Sequence, residues 1–295
     1  MLMKALIIAE HAAAAAELVA GARTMADEVV AISFGGAYEC GADKVLNITV
    51  PEGLTVDSAV ETVNAAFDAE NPEVVLVEAC RHMKVIAGSL AFHADTAVIT
   101  DVTAFEAEGA KSMYFGGIAE RVQKAAGNVA IYTVGAGVFD GAEGANGSVA
   151  EQEWVAPARP VKVVSSQVIE KSGVNLFKAD VVVAAGRGFA EESQLSMAND
   201  LCDKLGAGLA CSRPLTEGVN WLPTERYVGV SGLMLTPKAY IAVGISGQMQ
   251  HMVGCNRSGA IFAINKDKNA PIFKQCDFGL VGDIKDVLPA ITAAL

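Results

Sequence analysis

The residues best equipped for chemistry fall between Tyr240 and Asp283. An apolar run over 240–243 delivers the chain to Gly244-Ile245-Ser246-Gly247, and Gln248, Met249, Gln250 and His251 follow within about one helical turn. Strand, glycine-rich turn and helix start together make an anion site: glycines let the backbone approach closely, and the first turn of a helix offers unpaired N–H groups at the positive end of its dipole. A second apolar run over 260–264 ends on Asn265, and Asp283 follows Val281-Gly282. An acidic side chain after a strand suits ribose hydroxyls. Asp283 also reads as an N-cap for a helix over 284–295. Upstream, Gly186-Arg187-Gly188 pairs a tight turn with a cation, and Cys211-Ser212-Arg213 sets a permanently charged guanidinium beside a hydroxyl. Val228-Gly229-Val230-Ser231-Gly232 presents another hydroxyl between glycines.

These side chains need strands behind them. The run over 181–185 is continuously apolar, hence a strand buried on both faces, and it leads into Gly186-Arg187-Gly188. Leu195, Ala198, Leu201, Cys202 and Leu205 then share one face of a helix that Gly206 ends. The first half also alternates, with strands expected over 5–9, 29–33, 74–77, 97–100 and 128–132 and helices over 12–25, 56–69 and 83–92. Such alternation implies an α/β fold with a mainly parallel sheet covered on both faces. No G-x-G-x-x-G or G-x-x-x-x-G-K-[ST] follows any first-half strand, so this half reads as a scaffold. His11, His82 and His93 lack the spacing of a metal set and read as surface or structural residues. Residues 138–161 are rich in Gly, Ala, Pro and acids and read as a loop, with a strand-like run over 161–164. Two domains are expected, 1–167 and 168–295.

Composition narrows the classes. The 295 residues, 52% hydrophobic, suffice for two cores, and a net charge of −12 argues against nucleic acid or an anionic membrane as main partner. The opening MLMKALIIAEHAAAAAELVAGA resembles a leader, but Glu10 and Glu17 interrupt it, and it reads as strand then helix. No apolar stretch approaches the roughly 20 residues of a membrane span. Six cysteines without CxxC spacing suit reduced, buried thiols in a cytoplasm, and no metal centre is expected.

The pattern Tyr-x-Ala-x-Gly-Ile-Ser-Gly-x-x-Gln-His-x-x-Gly, then Ala-Ile-Asn-Lys-Asp, Ala-Pro-Ile-Phe and Gly-Leu-Val-Gly-Asp, resembles the FAD-binding signature of electron transfer flavoprotein alpha subunits. The specific resemblance covers roughly 180–295. It is weaker before 160, through Thr100-Asp101-Val102-Thr103 and Tyr114-Phe115-Gly116-Gly117. The Ser-Arg-Pro, Val-Ser-Gly and Gln-His-Met-Val-Gly runs look most like the bacterial FixB-type branch. The resemblance implies an N-terminal α/β domain that meets a partner subunit and a C-terminal, Rossmann-like, doubly wound FAD-binding domain. It also implies a cytoplasmic electron carrier with no substrate turnover of its own, paired with a beta subunit that holds AMP or a second, bifurcating FAD. Its electron donors would be flavin dehydrogenases such as acyl-CoA dehydrogenases, as in fatty acid β-oxidation, and its acceptor a quinone reductase or a ferredoxin-type protein.

By the same resemblance, Arg213 sits against the flavin ring with Ser212 nearby, its charge favouring the negatively charged reduced ring. Ser231 meets N5, and Val230 stands where the family more often has glutamine; Val228 and Gly229 belong to the same loop. His251 approaches the pyrimidine O2, where it can donate a hydrogen bond or carry a proton. Ser246, Gly247, Gln248, Met249 and Gln250 line the ribityl and pyrophosphate region with Arg187 beside them, and Asn265, Asp283 and Ile284 take the adenosine end. Two other readings compete: an NAD(P)-binding, transhydrogenase-like module, and a cofactor-free scaffold subunit.

Overall fold

A computed structural model describes residues 3–141, 144–167 and 175–295. The chain divides into two units, Met1–Tyr114 with Glu120–Val168, and Phe115–Ala119 with Ile169–Leu295. The expected boundary at 167/168 falls beside residues 168–174, which lie outside the described residues.

In the first unit β1 (Lys4–Ile8), α1 (Ala12–Ala22), β2 (Glu28–Phe34), β3 (Lys44–Ile48), α2 (Val60–Glu70), β4 (Val74–Glu78) and α3 (Arg81–His93) come first. Then follow β5 (Val98–Glu106), β6 (Gly109–Tyr114), β7 (Ala119–Gln123), β8 (Ala130–Val134) and β9 (Ser148–Glu151). The strands form one nine-stranded sheet in the order β7-β6-β5-β8-β4-β1-β2-β3-β9. The apolar strands β1 and β4 are central because both their faces are covered. Leu6 and Ile8 point into a core closed by α2 and α3 through Val63, Met83, Ile86 and Leu90. Ala5 and Ile7 point to the other face, under Leu18, Val19 and Ala22 of α1. The order reverses between β1 and β4, the position where open α/β sheets take ligands. Here Glu78, at the end of β4, fills the start of α1: its Oε2 accepts from the N–H groups of Glu10 (2.8 Å) and His11 (3.1 Å).

The sheet is mainly parallel, as expected, with β5 and β6 pairing antiparallel and a register shift between Val102 and Ala104. Two expectations for this half change. The run over 161–164 makes only an isolated bridge, Leu54 to Lys162, because its valines are exposed and no neighbour offers a full ladder. The presumed loop over 138–161 contains β9, which pairs with β3 through its backbone despite four exposed side chains.

The second unit is regular: β10 (Val181–Ala185), α4 (Leu195–Leu205), β11 (Gly208–Cys211), β12 (Ala239–Val243), α5 (Met249–Met252), β13 (Ala260–Asn265), β14 (Phe278–Val281) and α6 (Ile284–Ala294). Its five strands are all parallel, in the order β11-β10-β12-β13-β14, a doubly wound sheet. Val183 and Ala185 pack under Ala198 and Leu201 of α4 and Leu288 of α6. Val182, Ala184 and Tyr240 fill the opposite face with Met252 and Cys255. The order reverses between β10 and β12.

Candidate functional site

A cleft of about 550 Å³ opens at the carboxyl ends of these strands. The loop after β10 brings Arg187, the loop after β11 brings Ser212 and Arg213, and the turn after β12 brings Ser246, Gln248, Gln250 and His251. Val228, Val230 and Ser231 line it from the segment before β12, and Asn265 from the end of β13. Residues scattered over some eighty positions therefore converge because parallel strands all end on one edge. Gly229, Gly247 and Met249 do not line the cleft; they shape the loops that do.

Contact between the two central loops is backbone on backbone. Gly188 N–H donates to the Gly244 carbonyl (2.9 Å). A Cβ on Gly188 would stand 2.5 Å from Gly244 Cα, and Gly244 has a φ of +65°, so both positions require glycine. The expected helix after this turn is only the single turn α5, too short for much of a dipole. What it does offer are donors: among the described residues the N–H groups of Ser246, Gly247 and Gln248 make no hydrogen bond. Asn265 holds the turn in place, its Nδ2 donating to the Ile245 carbonyl (2.9 Å). Val230 N–H donates to the Gln250 carbonyl (2.8 Å), tying the Ser231 loop to the His251 turn.

The polar side chains differ in their freedom. Arg213 is 61% exposed and its Nε donates to Glu217 (2.6 Å), while Arg187 forms no ion pair among the described residues. Ser231 Oγ accepts from the Tyr227 hydroxyl (2.5 Å). His251 is only 8% exposed. Burial lowers its pKa to about 4, with the Val228 carbonyl pulling weakly the other way, so the ring is neutral near pH 7. Nε2 meets the Tyr240 hydroxyl at 2.9 Å, and Nδ1, buried, has no hydrogen-bond partner among the described residues. Of the two options for this histidine, its burial supports the neutral ring over the charged one.

Asp283 and Ile284 stand outside the cleft, at the end of β14 on the same edge. Asp283 Oδ1 accepts from Lys285 N–H (2.9 Å), capping α6, and Ile284 is buried in the core under that helix. Sequence reasoning missed Tyr227, which lines the cleft, Tyr240 behind it, and Asp267, a lining residue just past β13. Asp267 was legible: it lies 23 positions after Gly244, near the roughly 20 at which an acidic ribose partner follows a glycine-rich turn.

The second unit matches the family profile "Electron transfer flavoprotein FAD-binding domain" over residues 175–256, and the first matches "Electron transfer flavoprotein domain" over residues 5–159. The chain belongs to the electron transfer flavoprotein alpha family. It is 39% identical over 293 residues to protein FixB of Escherichia coli O157:H7, covering 95% of this chain and 94% of that protein. Protein FixB of Shigella flexneri matches to the same extent, and that of Escherichia coli O127:H6 is 38% identical over the same length. The chain is thus an electron transfer flavoprotein alpha subunit, its family's cofactor is FAD, and alpha subunits of this family pair with a beta subunit. Proteins of this family carry electrons. No described helix is long and apolar enough to cross a membrane.

The residues present fit such a cofactor. Unpartnered N–H groups suit a pyrophosphate, Arg187 adds a cation, and a buried imidazole nitrogen with no partner is a costly feature unless a ligand satisfies it.

Proposed function

We propose that one FAD lies along the carboxyl edge of the second sheet, from Arg213 and Ser212 beside β11 to Asn265, Asp283 and Ile284 beside β13 and β14. With a beta subunit contacting residues 1–167, the chain then passes electrons in the cytoplasm from flavin dehydrogenases of the acyl-CoA type to a quinone reductase or a ferredoxin-type acceptor, without turnover of its own. FAD supplies reversible electron uptake. The protein supplies position and charge. Ser246, Gly247, Gln248, Met249 and Gln250 hold the ribityl and phosphate part by backbone groups, with Arg187 as the cation.

Arg213 biases the ring toward its reduced, negative form, and Glu217 moderates that charge. Because Tyr227 donates to Ser231, the serine keeps its own proton free to donate at N5. Val230, without an amide, adds only apolar cover there, with Val228 and Gly229 shaping the loop. His251 donates at O2 as a neutral ring. The observation that carries this reading is the convergence of Ser212, Arg213, Ser231, Ser246 and His251 on one cleft at the sheet's switch point, the buried Nδ1 of His251 having no hydrogen-bond partner among the described residues.

The test is co-expression with the beta-type partner, a visible spectrum, and a count of FAD released per heterodimer on denaturation. One FAD supports a simple carrier, and two with widely split potentials indicate bifurcation. A colourless heterodimer refutes the reading.

A further inference from the structure

Behind the cleft, one side chain governs another. Tyr240 is completely buried, and its hydroxyl has two neighbours: Nε2 of His251 at 2.9 Å and the thiol of Cys255. Cys255 is itself fully buried, so water does not compete at either contact. Near neutral pH the His251 ring carries a single proton, which can sit on either nitrogen.

Suppose the proton sat on Nε2. That N–H would donate to the phenol oxygen, and the phenol proton would be left with the Cys255 sulfur, a weak acceptor. Nδ1 would then hold a lone pair, although the ring's remaining polar neighbour is the Val228 carbonyl, which also favours a proton on the ring. With the proton on Nδ1 every contact improves. The phenol donates to an imidazole nitrogen, the strongest acceptor in reach, in place of the weakly accepting Cys255 sulfur. Nδ1–H then turns its positive end to the Val228 carbonyl side of the ring.

We propose that Tyr240 is a positioning residue: by donating to Nε2 it fixes His251, a residue of the cleft lining, as the Nδ1–H tautomer and so makes the ring's other nitrogen a neutral hydrogen-bond donor. The second-half strand β12 thereby does two things. Its end supplies the glycine turn, and its second residue, from the core face, sets the polarity of the histidine one turn further on. What this arrangement achieves for a bound flavin rests on the function proposed above. The tautomer itself does not.

The test is long-range 15N–1H correlation on the heterodimer carrying ring-labelled histidine. The chain has four histidines, and His251 is assigned by its disappearance in His251→Gln. The expected result is a protonated-type signal at Nδ1 and a lone-pair-type signal at Nε2. In Tyr240→Phe the proton moves wholly or partly to Nε2, and the flavin midpoint potential falls while FAD per heterodimer stays the same. Nε2–H in the wild type, or an unchanged tautomer in Tyr240→Phe, overturns the proposal; should that variant not fold, the wild-type spectrum alone decides. A colourless preparation would sink the function proposed above yet leave the tautomer readable, whereas a yellow one with Nε2–H would sink this inference only.

Discussion

Burial of His251 has a thermodynamic consequence that can be measured without any cofactor. Its pKa falls from the ordinary 6.5 to about 4 in the folded chain, chiefly because the interior disfavours the charged ring. The sign follows directly. Below pH 6.5 the unfolded chain binds a proton that the folded chain refuses until about pH 4, so stability is complete above the unfolded value and drains away between the two. At ~1.36 kcal/mol per pH unit between the two values the full effect is about 3 kcal/mol, of which about 2 kcal/mol is already lost near pH 5.

The perturbation is His251→Gln, which keeps a polar side chain of similar reach but cannot titrate. The assay is urea unfolding at about pH 7.5 and about pH 5, followed by Trp221, with Trp154→Phe as background so that the second unit alone reports. All other titrating groups act equally in both proteins and cancel in the double difference. The wild type should lose ~2 kcal/mol more than His251→Gln on acidification. A double difference within about 0.5 kcal/mol of zero would show that this histidine is not held neutral by burial.

Other expectations concern the cleft. Arg213→Ala should lower the flavin potential and Glu217→Gln raise it, because the two charges are paired and act with opposite signs; redox titration reads both. Ser231→Ala should change the potential while FAD remains bound, and Tyr227→Phe should change it in the same direction by less, since only the polarising donor is lost. Gly188→Val drives a branched side chain against the Gly244 backbone, costing at least about 1–3 kcal/mol locally. FAD content should drop sharply while far-ultraviolet circular dichroism stays unchanged. Asp283→Ala should cost about 1 kcal/mol through the lost cap of α6 and Asp283→Asn much less, whereas FAD loss in both would mark the carboxylate as a ligand.

What the sequence revealed depended on burial. The strands under the cleft, β10, β12 and β13, were legible because they are largely buried and their residues read as unbroken apolar runs. The glycine turns were legible because close backbone approach excludes every other residue type. Edge elements were not. β14 has four exposed residues and β9 likewise, so neither shows a pattern, and the β5–β6 hairpin mixes polar and apolar positions on a half-wet face. The run over 161–164 failed in the opposite sense, being rich in valine yet held by a single isolated bridge. At the site, residue types were readable but pairings were not: Tyr240 meets His251 only because the chain turns back over its own strand, and the Tyr227–Ser231 bond depends on a loop no periodicity describes. Asp283 carried two readings from the start, and its cap on α6 is the one visible in the fold.

The Glu78 carboxylate gives the chain an asymmetry of loading. Both halves have a parallel sheet with a reversal point and a helix or turn start above it, the architecture from which nucleotide sites are made. In the first half that place is taken by the protein's own anion, anchored to two backbone N–H groups, with the His11 ring at 2.7 Å from its other oxygen. A phosphate arriving there would meet a resident negative charge instead of bare donors. A tethered carboxylate needs no supply, never dissociates and cannot be competed away by free nucleotides. The first half thereby carries its own ligand, whereas in the second, among the described residues, the N–H groups of Ser246, Gly247 and Gln248 stand open.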